Sequence, residues 1–167
     1  DYFMDQWGVP WKKPQGGNYY DVSEFIHREI DPEDFDQIQW PTLATDRMAA
    51  EMETRAKALY ESTDYALFTD VLGSAIFESA WYLRGFEQFM VDMMVEEEFT
   101  ARYLRKVLDL QLEAYDKLLQ KSAPYLEAVF VTDDLASQDS LLMSPEVYRN
   151  VIQPYQRELF SFLRSKG

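Results

Sequence analysis

Residues 125–145 read YLEAVFVTDDLASQDSLLMSP. The apolar run Leu126–Thr132 has the length of a buried strand, with Pro124 before it and a polar loop after it. It ends in two adjacent carboxylates, Asp133 and Asp134. Ser144-Pro145 then opens a helix. A serine side chain accepts from the free amides of a first turn, and a proline at the first helical position gives up no hydrogen bond. The C-terminal ends of parallel strands are where α/β proteins build their sites. Two acids there are candidates for a site, and equally candidates for capping the turn that follows.

Upstream lies a second apolar run, Tyr65–Leu72, with Asp70 near its end and Gly73 available for a turn. Apolar residues at helical spacing predict helices over 45–61, 74–83, 86–94, 96–121 and about 145–164. Thr45 or Asp46 caps the first. Glu96-Glu97-Glu98 opens the longest, and Lys117 and Lys121 lie near its other end, each sign matching the helix dipole. Pro154, inside the last helix, predicts a kink. This order of helices and strands is the βα rhythm of a parallel sheet. It predicts parallel strands at 66–70 and 127–132, side by side, with helices 45–61, 96–121 and 145–163 outside them. Two such strands cannot close a barrel but can belong to one.

The first residues, YFMDQWGVPWK over 2–12, predict a short strand or hairpin broken at Gly8 and Pro10 and continued across 14–18 into Tyr19-Tyr20-Asp21-Val22. Trp7, Trp11, Tyr19 and Tyr20 are read as a satellite core in preference to a ligand platform. REIDPEDFD over 28–36 reads as a solvated acidic loop, because no metal-loop spacing fits it. The chain is thus one domain over 1–167, with a loop-rich hairpin region over 1–43 and βα units over 44–167.

Composition narrows the function classes. The chain has 167 residues, 47% of them apolar, enough for a real core. Its net charge is −14, from 30 acidic and 16 basic residues, which argues against nucleic acid or an anionic membrane as partner through a broad basic surface. There is no cysteine, so disulfides, thiolate catalysis and cysteine metal sites are excluded within this sequence. No apolar run approaches a membrane span, and no signal-peptide pattern opens the chain. The expected compartment is cytoplasmic. Asp1 at one end and Ser165-Lys166-Gly167 at the other are read as the cut ends of something longer.

Several motifs together resemble the uroporphyrinogen decarboxylase-like superfamily, which includes the decarboxylase and the corrinoid- or thiol-linked methyltransferases. They are Asp133-Asp134-Leu135-Ala136-Ser137-Gln138, then Leu141-Leu142-Met143-Ser144-Pro145-Glu146, then Tyr148-Arg149 and Pro154-Tyr155. Trp81-Tyr82-Leu83-Arg84-Gly85-Phe86 with Phe89 resembles the family's middle segment. Asp5-Gln6-Trp7-Gly8-Val9, followed by Trp11, resembles an early hairpin of the methyltransferase-like branch. The resemblance implies an α/β fold, a partial (β/α)8 TIM barrel with parallel strands, outer helices and an N-terminal hairpin. A complete barrel needs about 250 residues. The resemblance therefore places this chain as a central slice. Trp81 stands where the decarboxylase has a substrate-facing tyrosine, with Tyr82 one step away. Asp134 stands where it has a serine. Both differences favour methyl transfer, to or from a corrinoid or thiol, over tetrapyrrole decarboxylation; a catalytically silent binding protein of the same fold is the third expectation.

The candidate catalytic residues are Asp133, Asp134 and Asp70. The candidate substrate-binding residues are Trp81, Tyr82, Arg84 and Gln138. Strand alternation puts Asp133 and Asp134 on different sides. The resemblance favours Asp133 as the one facing the cavity, with Asp134 then serving the loop, or the substrate if the backbone turns early. Arg84 could meet an acidic substrate or pair within the acidic excess. His27, the sole histidine, is expected exposed or paired with a carboxylate. It does not match the family's zinc ligands, so no metal is expected here, while zinc and a corrinoid are implied for a full-length methyltransferase. A small-molecule substrate and a corrinoid protein are the implied partners. Open sheet edges predict self-association, and the slice alone is expected to be inactive.

Overall fold

The computed structural model describes every residue except Asp70, Val71, Gly73 and Gly167. The candidate Asp70 therefore lies outside the described residues. The fold is mixed α/β. Strands β1 (Tyr2–Met4), β2 (Pro10–Lys12) and β3 (Asp21–Val22) form an antiparallel meander. Asp5 holds its first turn. One carboxylate oxygen accepts from the backbone N–H groups of Trp7 and Val9, and the other accepts from the Trp11 indole. Gly8 takes φ 80° there, a conformation that favours glycine. Trp7 is buried and Trp11 half-buried, whereas Tyr19 is exposed and takes no part in that small core.

Helix α1 (Asp46–Ser62) is capped by the Thr45 hydroxyl, which accepts from Met48 N–H. Strand β4 (Phe68–Thr69) follows, then α2 (Ile76–Arg84), α3 (Phe86–Val95) and α4 (Glu97–Ser122). Strand β5 (Ala128–Val129) pairs parallel with β4, Phe68 beside Ala128 and Thr69 beside Val129. The parallel pairing matches the expectation, but the regular ladder is shorter than the two apolar runs. Further bonds extend its line, from Glu127 N–H to Leu67 O, Phe130 N–H to Thr69 O, and Ala75 N–H to Thr132 O.

The last helix begins as a short turn, α5 (Pro145–Val147), capped by Ser144 as expected, and finishes as α6 (Gln153–Arg164). Between them Tyr148–Ile152 form a π-turn, in which Gln153 N–H reaches back to Tyr148 O. Pro154 supplies no N–H to Asn150 O, and the widened turn absorbs that missing bond.

Helix α4 is the hub. It packs on α1, α2, α3 and α6, with Tyr103, Leu104, Val107 and Leu108 fully buried. Each such side chain contributes about 1.5–3 kcal/mol by leaving water. The parallel pair packs only one face on these helices. Thr69, Val129 and Val131 are partly buried, while Phe68 (64% exposed) and Phe130 (56%) stand on the bare face. An open hollow lies beside each strand. The larger, about 710 Å³, runs between β4 and α1; the smaller, about 240 Å³, lies between β5 and the end of α6. Among the described residues no helix is long and apolar enough to cross a membrane.

Candidate functional site

The chemistry-bearing residues meet where β5 ends and α2 begins. The N-terminal amides of a helix have no partner within the helix and need an external acceptor. Asp133 provides it. Its Oδ2 accepts from Phe77 N–H at 3.0 Å and its Oδ1 from Glu78 N–H at 2.8 Å. Gln156 of α6 donates its side-chain N–H to Oδ2 at 2.8 Å, and the Gln156 oxygen accepts from the Tyr148 hydroxyl at 2.8 Å. Asp133 therefore ties the end of β5 to α2 and α6. Burial pushes its carboxyl above the ordinary range, and the three hydrogen bonds pull the other way.

This corrects the expected division of labour between the two aspartates. Residues 129, 131 and 133 turn toward the helices, and residues 128, 130, 132 and 134 are exposed. The alternation of the strand carries on to its end. Asp133 accordingly lies on the packed side and serves the helix. Asp134 lies on the bare side, with Phe130, and is exposed.

Asp134 lies near a second polar group, close enough for its charge to act on Tyr82. On α2, Tyr82 donates to Glu78 Oε1 at 2.7 Å, an i to i+4 pair along one face of the helix. The Ser74 side chain also bonds the Tyr82 hydroxyl. Burial first, and then the bond to Glu78, raise the Tyr82 hydroxyl well above its ordinary range, so it stays a neutral donor. Around it runs an aromatic wall. Trp11 meets the Tyr82 ring edge-on at 4.8 Å, Trp81 meets it at 4.1 Å, and Phe3 stacks on Trp11 at 6.2 Å. The Trp81 indole N–H is buried and has no hydrogen-bond partner among the described residues.

Of the two roles open to Arg84, the structure shows the pairing within the acidic excess. Arg84 is 2% exposed. Its Nε donates to Asp92 at 2.7 Å, and one terminal nitrogen donates to the carbonyls of His27, Arg28 and Ile30. Every one of those bonds is internal, so the guanidinium clamps the 27–30 loop to α2 and is not offered to an acidic substrate. His27 is neither exposed nor paired with a carboxylate. It is buried, and its Nδ1 shares a 2.6 Å hydrogen bond with the Tyr103 hydroxyl. Burial, with Arg84 nearby, lowers its pKa to about 4, so the ring is neutral. Gln138 sits exposed at the tip of a small loop closed by Ala136 and Leu141. Among the described residues no hydrogen bond or ion pair joins it to the other candidates.

Among the described residues no three His, Asp or Glu side chains are grouped to hold a metal, and the one histidine is engaged in the core. What the arrangement offers is one exposed carboxylate, a neutral phenol buttressed by a buried carboxylate, and an aromatic wall. Glu78, Ser74 and Gln156 are not singled out by the sequence, and Tyr148 enters there only as part of a motif. Glu78 carries a signal, being the one charged residue in the run Ile76–Ala80, four positions before Tyr82. No family model matches this chain, and no curated protein or solved structure matches it either.

Proposed function

We propose that the chain forms one wall of the mouth of a (β/α)8 barrel of the uroporphyrinogen decarboxylase-like kind, and that the complete barrel transfers a methyl group to or from a corrinoid or a thiol. The observation that carries this reading is the parity along β5. The bare face that would line a barrel bears Phe130 and then Asp134, and the opposite face ends in Asp133, fastened to the helices. An open edge on each strand, with a hollow beside it lined by both apolar and charged side chains, is what a two-strand segment of a larger barrel would present. In this reading Asp134 meets the substrate, Tyr82 and Trp81 flank it, and Asp133 positions the wall. The zinc and corrinoid that such a transfer uses would be held by other residues or by a corrinoid protein; no step is assigned to them here. The protein would act in the cytoplasm on a small molecule.

One observation favours this over tetrapyrrole decarboxylation. A substrate rich in carboxylates calls for basic side chains at the mouth, and Arg84, the candidate for that task, is spent inside. A catalytically silent binding protein of the same fold is the second reading, favoured by the capping role of Asp133. The experiment assays the intact barrel protein with methylcobalamin and a thiol acceptor, and separately with uroporphyrinogen. Demethylation of the corrinoid with thioether formation is the expected result. Release of carbon dioxide from uroporphyrinogen would overturn the reading, and ligand binding without either turnover would establish the silent one.

A further inference from the structure

Helix α3 is apolar on both sides. Phe89 and Met93 point into the core, and Asp92 is buried against Arg84. On the outer side Phe86, Met90, Val91, Met94 and Val95 form a second apolar stripe, with Met94 at 64% and Val95 at 66% exposure. A shallow depression of about 530 Å³ lies along it, lined by those five and Glu87. A helix with a second apolar stripe outside its core-facing one ordinarily buries that stripe too. Residues 86, 90 and 94 follow the i, i+4 ridge that packs into the grooves of another helix.

The surroundings say what kind of helix. Glu87 lies within the stripe, and Glu96, Glu97 and Glu98 stand exposed just beyond its end. They form the N-cap and first turn of α4, whose helix dipole steadies their charge. Among the described residues no ion pair engages any of these four carboxylates. Met94 also borders a second groove of about 590 Å³, which runs between α4 and the π-turn past Glu97, Leu104, Val147 and Val151. The apolar surface is therefore continuous and acid-rimmed.

We infer that the outer face of α3 is a docking surface for an amphipathic helix of another protein, one whose apolar stripe is flanked by lysine or arginine. Charge complementarity selects this occupant. A second copy of the chain would set Glu87 and the Glu96–Glu98 run against their own kind, and an anionic lipid surface would meet the same repulsion. A β-strand would find no free backbone edge on a helix. The inference is independent of the barrel reading, because it uses neither the strand ends nor Asp134.

The test uses the 167-residue chain and three fluorescent peptides: a helical peptide with one leucine face flanked by lysines, a scramble of the same composition, and the same helix with glutamates for lysines. Binding is followed by anisotropy at low and high salt. The lysine helix should bind at least about tenfold more tightly than the scramble. Met94→Gln with Val95→Gln should weaken it about tenfold, and the thermal midpoint should hold because both side chains are already exposed. Replacing Glu96, Glu97 and Glu98 by Gln should weaken binding and flatten its salt dependence. Equal affinity for the scramble would overturn the inference. So would binding indifferent to the Met94 and Val95 changes, dimerisation of the chain abolished by those changes, or capture by phosphatidylcholine vesicles in preference to the peptide.

Discussion

Replacing Asp133 by alanine removes the acceptor for two backbone amides and one side-chain amide in a single step. Phe77 and Glu78 are buried, so their N–H groups do not recover those bonds from water. Loss of a helix N-cap costs about 1–2 kcal/mol. Gln156, also buried, loses its one carboxylate partner, at about another 1–2 kcal/mol. The expected destabilisation is about 3 kcal/mol, which in a domain of this size lowers the melting midpoint by roughly 10 °C. Asp133→Asn keeps one acceptor oxygen but turns an amide toward a donor, so about half that loss is expected. Asp134→Ala, on an exposed side chain, should stay within about 0.5 kcal/mol of the parent. Urea unfolding followed by circular dichroism measures all three. Asp133→Ala unfolding within about 0.5 kcal/mol of the parent would refute the assignment of Asp133 to the helix.

Arg84→Met should cost about 3–5 kcal/mol, because it strands buried Asp92 and releases the 27–30 loop; a variant that folds as stably as the parent in urea would restore Arg84 as a candidate ligand residue. His27 has a folded pKa of about 4, below the 6.5 of a free imidazole, so the unfolded chain takes up the proton more readily. Its contribution to stability is complete above pH 6.5 and is lost as the pH falls through 4, by about 3 kcal/mol in all. Across that window the unfolding free energy of the parent should fall by this amount more than that of His27→Gln, and a constant difference between the two would contradict it. Self-association is expected through the bare face and open edges of the parallel pair, and Phe68→Glu with Phe130→Glu should abolish it in sedimentation; a parent that sediments only as a monomer at micromolar concentration counts against this.

The elements set by local pattern were legible in the sequence. The apolar spacing of α4, the Thr45 and Ser144 caps and the Pro145 start all rest on residues within a turn or two of one another, and the structure matches them. The parallel pairing of β4 with β5 was legible from element order, because a helical crossover favours it. The fates of individual side chains were less so. Asp133 was assigned by resemblance to the cavity, but its partners are the amides of α2 and the amide of Gln156, contacts that only tertiary packing creates. For Arg84 the sequence leaves open an acidic substrate or a partner within the acidic excess, and the structure pairs it with Asp92. The three carbonyl partners of Arg84 come from a loop more than fifty residues earlier, and no periodicity announces them. His27 was read from its acidic neighbours, yet Tyr103 across the fold decides its environment. The parity of β5 was available all along, since alternation alone put the two aspartates on different sides; what was missing was which side the helices occupy.

The central claim is that Asp134, not Asp133, faces the reacting molecule. Its most direct test is the turnover of the intact barrel protein carrying Asp134→Asn, set beside its melting midpoint. The account predicts a loss of at least about a hundredfold in turnover, in the range expected for a proton-transferring or charge-positioning group, with the midpoint unchanged. Full activity in Asp134→Asn would contradict it.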